Sequence, residues 1–412
     1  MTRESKGMTI IRRADELALH TETPGTLTRT YLTDAHRGAA ALLANWMRAA
    51  GMDVRRDAAG NVIGRYEGLT PDAPALLTGS HFDTVPNAGK YDGTLGILLP
   101  IVCIAEWNEQ GRRFPFAIEV IGFAEEEGVR FKATLLGSRA IAGTFDTALL
   151  DKCDEQGQAM RDVMAAAGFD SRQLGAAAFK RENVLGYVEV HIEQGPVLLD
   201  ENLPVGVVTA ISGASRFLVT AIGLAGHAGT VPMALRRDAL MAAAEIGLYI
   251  EKRCSGASGL VGTVGQFEVP NGAANTVPGK AIFTIDIRAE SDDVRQAAVA
   301  DVLDAMQKIA SRRNVTLDIA QTHEAKSVCC AHWLQDQLAG AIAGSGLPVR
   351  YLPSGAGHDA MAIATLTDVA MLFVRCGNNG ISHHPDETMT AQDAETAATV
   401  FSRFVENFAP RR

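Results

Sequence analysis

The sequence predicts an α/β protein: a catalytic domain built on a mixed, largely parallel sheet flanked by helices, interrupted by an inserted ferredoxin-like α+β domain. Three observations predict it. In the first third, short apolar runs alternate with helix-length segments, the pattern of a parallel sheet covered on both faces. From about Gly213 to Ser327 the order becomes strand, helix, strand, strand, helix, strand, that of a split β-α-β sandwich. Beyond it, α/β grammar returns. A chain of 412 residues is long enough for two or three domains. The expected division is a discontinuous catalytic domain over 1–212 and 328–412, with an inserted lid over 213–327.

Each element has a local reason. "TDAHRGAAALLANWMRAAG" reads as a helix capped by Thr33 or Asp34 and ended by Gly51. "MDVRRDAAGNVIGRYEG" reads as a hairpin across "AAGN". "APALLTGS" and "FAIEVIGFA" are short buried strands, and "GTLGILLPIVCIAEWNEQG" between them is a helix stopped by Gly111. In the inserted region the strands are "SRFLVTAIGLAG", "GLVGTVGQFEV", "KAIFTIDIRAE" and "VTLDIAQTHE". Its helices are "ALRRDALMAAAEIGLYIEKRC" and "DDVRQAAVADVLDAMQKIASRR". "QDQLAGAIAGSG", "DVAMLFVRCG" and "AQDAETAATVFSRFVENFAP" complete the first domain.

Composition narrows the function. A net charge of −10 argues against nucleic-acid or anionic-membrane partners, which need basic surfaces. Local arginines still allow an acidic small substrate. Cys103, Cys153, Cys254, Cys329, Cys330 and Cys376 form no CxxC pair, so free thiols in a reducing compartment are expected. The N-terminus carries no apolar signal segment, and the longest apolar run, "ILLPIVCIAEW", is too short to span a bilayer. A cytoplasmic location is expected.

Chemistry-bearing residues recur at strand ends, where open α/β sheets collect function. "GSHFDTVPNAGKYDGTLG" places His81 and Asp83 just past a buried strand and Asp92 at the start of the next helix. His-x-Asp suits a metal-bound imidazole steadied by a carboxylate, and Asp92 suits a bridge between two cations. The same stretch also fits a Gly/Asn/Asp turn with capping aspartates. "FAEEEGVRF" puts Glu125, Glu126 and Glu127 after the next strand. An acidic run on a solvated face is the plain alternative. Crowded at a sheet edge, such charges need cations or protons, and one carboxylate on a metal beside another acting as base resolves the crowding. His191 in "YVEVHIEQGPVL" and His383 and His384 in "FVRCGNNGISHHPDE" follow further buried strands, and His191 alone would also fit a structural role. The inserted region adds His227, Asn275 and Arg288. Four strand ends supplying His, Asp, Glu and His suit two divalent ions and hydrolysis. No GxSxG elbow, P-loop or GxGxxG turn competes.

These motifs, with "LGSRAIAG", "GHAGTVPMALRRDAL", "NTVPGKAIFTIDIR" and "SGAGHDA", resemble the dinuclear metal aminoacylase/carboxypeptidase family from about residue 35 onward. The resemblance is to the branch holding allantoate amidohydrolase, N-carbamoyl-L-amino-acid hydrolase and bacterial β-ureidopropionase. It implies two divalent ions per subunit, zinc or manganese, with cobalt or nickel accepted. His81, Asp92 and His191 would hold one, and Asp92, Glu127 and His383 the other. Glu126 would be the general base, and Asp83 would orient His81. The resemblance also implies a homodimer through the inserted domain, with His227 stabilising the oxyanion in the partner subunit's site. Arg216, Asn275 and Arg288 would bind a small ureido carboxylate, and Gln194 and His358 would line the pocket. Where the family carries "SHN", this chain has "SHHPDE", which leaves the choice between His383 and His384 open.

Allantoate is the expected substrate, because "LTRTYLTDAHRGAAALLANWMRAAG" and "GKYDGTLGILLPI" most resemble the allantoate amidohydrolases within that branch. N-carbamoyl-L-amino acids and N-carbamoyl-β-alanine are the alternatives. A non-catalytic relative would lack the base or the bridge, and both Glu126 and Asp92 are present. A true dipeptidase or aminoacylase is disfavoured by "HIEQG", where many such enzymes place a carboxylate ligand.

Overall fold

Short apolar runs become strands where the chain reverses or crosses over a helix. β1 (Asp53–Arg56) and β2 (Val62–Tyr66) form the expected hairpin, with Arg56 opposite Val62. Asp57 closes its turn, accepting the N–H groups of Ala59 at 2.9 Å and Asn61 at 3.0 Å. β3 (Ala75–His81) and β4 (Ala117–Phe123) are buried along their whole length, and β5 (Val184–Ile192) nearly so. The computed structural model describes residues 4–411; residues 1–3 and 412, the ends of the expected catalytic domain, lie outside the described residues.

The described chain divides into two compact units. One runs to Thr209 and adds Cys330–Leu352 and Gly357 onward; the other holds Ala210–Cys329 and Pro353–Ala356. In the first, the sheet order is β1, β2, β4, β3, β5, then Val369–Val374, then β6 (Val205–Ile211). The four central strands, β4, β3, β5 and Val369–Val374, are mutually parallel; the outer pairings are antiparallel. α1 (Lys6–Ala18) buries Ile10, Ala14 and Leu17, and α2 (Asp34–Ala49) is capped by the Thr33 hydroxyl. α3 (Leu95–Glu109) is buried almost all round, Pro100 included, as a helix wedged among other layers must be.

In the second unit, Lys280–Ala289 pairs with β7 (Gly213–Ile222) on one side and Leu260–Thr263 on the other, and Thr316–Ala325 flanks β7. All pairings are antiparallel. Helices Ala239–Ser255 and Asp292–Arg313 pack on the face carrying Phe217, Val219, Phe283, Ile285 and Ile287.

Several elements differ from expectation. The helix expected from Ala234 begins at Ala239, because the Asp238 side chain caps it by accepting the Met241 N–H. "GLVGTVGQFEV" breaks into Leu260–Thr263 and Phe267–Glu268. α1, β6 and Tyr351–Ser354 were not foreseen. Among the described residues, no helix is long and apolar enough to cross a membrane, and the six cysteines are free thiols.

Gly79 shows how tightly the central strands meet. Its φ is +146°, and a Cβ there would fall 1.9 Å from the Ile121 carbonyl oxygen. Gly79→Ala is expected to destabilise the fold by at least about 2 kcal/mol, read from chemical denaturation of both forms.

Candidate active site

Because β4, β3, β5 and Val369–Val374 are parallel neighbours, their carboxyl ends open on one edge. His81 ends β3, opposite Phe123, and Glu125–Glu127 follow two residues after β4. His191 lies within the end of β5, opposite Phe373, and not after the strand as expected. His383 arrives through the loop beyond Val374.

Asp92 is the meeting point. Its Oδ1 lies 3.3 Å from His191 Nε2 and 3.6 Å from His81 Nε2, and its Oδ2 lies 3.2 Å from His383 Nε2. His383 Nε2 is also 3.4 Å from Glu127 Oε1. Gly93 makes this approach possible: with φ +65°, a Cβ there would stand 2.5 Å from the His81 ring. Among the described residues, four sets of side chains are arranged as candidate metal ligands, each with ligand atoms within 4.8 Å of one another. They are His81, Asp92 and His191; Asp92, Glu127 and His383; His81, Glu126 and Glu127; and Glu189, His191 and His358. His384 points elsewhere, 3.6 Å from Asp386. Of the doublet, it is His383 and not His384 that turns to the cluster.

Asp83 braces the loops that carry His81 and Glu126–Glu127. Its oxygens accept the backbone N–H groups of Glu126 at 3.0 Å and Glu127 at 3.1 Å, and Oδ1 lies 3.5 Å from His81 Nδ1. The imidazole nitrogen is also 3.1 Å from the Asp83 carbonyl. Gln194, at φ +56°, donates from Nε2 to Asp92 Oδ2 at 3.0 Å, while its Oε1 has no partner among the described residues. His358, expected to line the pocket, is buried, edge-on to His191 with ring centroids 4.6 Å apart.

The electrostatics follow from crowding in a dry place. Burial opposes charge on Asp92, yet bonds from His191, His383 and His81 hold it well below the ordinary carboxylate range. Burial and the adjacent Glu127 push Glu126 well above that range. Burial and Asp92 raise Glu127 to about 7. The bond to Asp92, working against burial, raises His383 to about 9. Burial would depress His81, but Asp83 and Asp92 outweigh it and hold the imidazole well above its usual value.

Some supporting residues escaped the sequence reading. Glu387 accepts the N–H groups of Tyr91 and Asp92 at 2.9 and 3.1 Å and the Ser382 hydroxyl at 2.8 Å. It stands within the quoted "SHHPDE", so its place beside two histidines was the available signal. Arg29, fully buried, donates to the Phe82 and Leu17 carbonyls, and His36 bonds the Ala124 carbonyl at 2.6 Å. Both lie in the stretch quoted for the substrate expectation, but nothing local in it assigns them this supporting role.

The other expected residues lie in the second unit. Arg216 and Arg288 share Asp286. His227 is exposed, opposite Thr276 in a two-residue ladder, and the Asn275 carbonyl accepts the Ala228 N–H at 2.9 Å.

The model of peptidase family M20/M25/M40 matches residues 77–407. The chain belongs to this family. It is 41% identical to the N-carbamoyl-L-amino acid amidohydrolase of Geobacillus stearothermophilus, over 91% of this chain and 92% of that protein. It is 40% identical to allantoate deiminase 1 of Glycine max, over 97% of this chain and 89% of that protein. The solved structure of a hydantoinase/carbamoylase family amidase from Burkholderia multivorans superposes with a TM-score of 0.91 at 31% identity, covering 98% of this chain and 97% of that one. As an M20-family member at this similarity, the chain is an amidohydrolase.

Two outcomes are expected. Asp83→Ala frees both glutamate backbones and His81, so metal affinity should fall about 10- to 100-fold in competition titrations. Glu127 is raised to about 7 and His383 to about 9, and an ion held by these two groups would require both deprotonated. Protons therefore compete increasingly as pH falls: apparent affinity should be at least about tenfold weaker at pH 6 than at pH 8, with proton release measurable by calorimetry in buffers of different ionisation enthalpy.

Proposed function

We propose that the chain is a dinuclear-metal amidohydrolase that hydrolyses the ureido group of a small carboxylate, allantoate first, releasing ammonia and carbon dioxide. The observation that carries the reading is Asp92, whose one carboxylate serves imidazoles on both its oxygens beside Glu127. His81, Asp92 and His191 would hold one ion, and Asp92, Glu127 and His383 the second. The donor set fits: imidazoles and carboxylates in converging threes suit zinc or manganese, and cobalt or nickel accept the same ligands. When bound, two such ions polarise a carbonyl and lower the pKa of water.

The chain's own groups do the rest. Glu126, near His81 and Glu127, takes the proton of the attacking water and passes it to the leaving nitrogen. The terminal C–N bond breaks, ammonia leaves, and the remaining carbamate loses carbon dioxide. Asp83 keeps His81 and the glutamate loop in place. Gln194 Oε1 is free to accept from a ureido N–H, and His358 packs against His191 to fix its ring. Arg216 and Arg288 offer cationic donors for the substrate carboxylate, and Asn275 offers an amide for the ureido group.

The second unit we propose to be a lid and dimerisation domain. Its exposed Leu218, Ile222, Leu224, Met233, Leu235 and Leu248 support a partner surface. The exposed His227 suits oxyanion stabilisation in the site of the partner subunit. The free thiols support a cytoplasmic setting. The similarity to the Geobacillus enzyme favours a second reading, N-carbamoyl-L-amino acids as substrates.

The test is ammonia release by metal-reconstituted enzyme on allantoate, N-carbamoyl-β-alanine and several N-carbamoyl-L-amino acids, with the highest kcat/KM expected for allantoate. Glu126→Gln should keep its metal and lose about 10²- to 10⁴-fold in kcat. Near-normal turnover in that variant would exclude Glu126 as the base.

A further inference from the structure

On the second unit, Asp286 stands directly opposite Arg216 in the ladder between β7 and Lys280–Ala289, and Arg288 lies two residues along on the same face. Asp286 Oδ1 accepts from Arg288 Nε at 3.0 Å. Its Oδ2 accepts from Arg288 Nη2 and from Arg216 Nε, each at 2.9 Å. Arg288 Nη1 reaches the Gly355 carbonyl at 2.7 Å. Arg216 spends only its Nε among the described residues, so both terminal nitrogens remain for a ligand.

The triad borders a cavity of about 600 Å³ that Thr263, Gln266 and Thr284 also line. This is the face away from the unit's apolar core, which takes the alternate residues Phe217, Ile285 and Ile287. Partly exposed ion pairs add little to stability. Here side-chain exposures are 45% for Arg216, 28% for Arg288 and 25% for Asp286, so folding gives little reason for the arrangement. Its geometry gives one. A carboxylate that bonds two guanidiniums fixes their planes and cancels one of their two charges. His323, opposite Arg216 on the next strand, adds no charge near neutrality, because burial and the arginines hold its imidazole below the usual value.

We propose that Asp286 is a positioning residue that sets carboxylate specificity: it locks Arg216 and Arg288 into one fork with a single net positive charge, matched to a substrate bearing one carboxylate. The proposal rests on the reading that these arginines receive the substrate's carboxylate. Without Asp286, the Nε and Nη2 edge of Arg288 is released and the net charge doubles, which suits a second carboxylate and leaves both guanidiniums less ordered.

The test compares full-length, metal-loaded enzyme and variants on N-carbamoyl-L-alanine, N-carbamoyl-L-aspartate and the uncharged N-carbamoyl-L-alaninamide. For Asp286→Asn, KM for the monocarboxylate should rise about tenfold with kcat within about twofold. Its kcat/KM preference for the dicarboxylate over the monocarboxylate should rise about tenfold. Asp286→Glu keeps the charge and should keep the wild-type preference. Unchanged KM and preference in Asp286→Asn overturn the role of Asp286, as do equal shifts in the Asn and Glu variants, which would mark a packing effect. The amide separates the underlying reading. If wild type and Arg288→Ala each process amide and carboxylate equally well, the arginines do not read a carboxylate, and that reading fails together with the proposal. If the wild type prefers the carboxylate while Asp286→Asn behaves as wild type, only the role of Asp286 fails.

Discussion

Asp92 carries a charge inside a buried edge, and three imidazoles make that charge tolerable. His191 and His81 approach one oxygen and His383 the other. An isolated buried carboxylate would take up a proton; this one stays ionised because the histidines neutralise it. The surrounding features serve that arrangement. Gly93 removes the Cβ that would collide with His81, Glu387 and Ser382 grip Asp92 from behind, and Gln194 adds a further donor.

The same edge is overloaded with acid. Glu125, Glu189 and Asp359 are buried close to the cluster, and each carboxyl is pushed upward, first by burial. Glu126 and Glu127 are raised as well. A chain evolved only for stability would not keep so many carboxyls out of water. Divalent cations would relieve this crowding, and burial and neighbouring charges pull Asp92 and Glu126 to opposite sides of the ordinary carboxylate range. Asp83 ties the two neighbourhoods together, since one carboxylate holds both the glutamate backbones and the first histidine.

The second unit carries a different kind of chemistry, one with hydrogen-bond donors on a sheet face. Alternation along Lys280–Ala289 sends Ile285 and Ile287 to the core and Asp286 and Arg288 to the opposite face. The period-2 pattern that builds the core thus also builds the polar face.

Much of this was legible in the sequence. Buried apolar runs marked the strands, and the residues just beyond them, His81, Glu126, Glu127 and His383, marked the edge, because parallel strands must release their carboxyl ends on one side. His191 was read correctly as a strand-end group but one step too late, since a buried imidazole fits inside the strand as well as after it. The chain left α1 and β6 unmarked: the first is a mostly polar amphipathic helix and the second a short run merging into β7. The sequence by itself determined which residue types reach the strand ends, because local periodicity and turn chemistry act over a few residues. Only the tertiary structure decided that His383 and not His384 meets Asp92, that Arg29 and His36 support the loops, and that Asp286 faces Arg216. Those pairings depend on register and on contacts between residues far apart in the chain, which close packing fixes and local sequence does not encode.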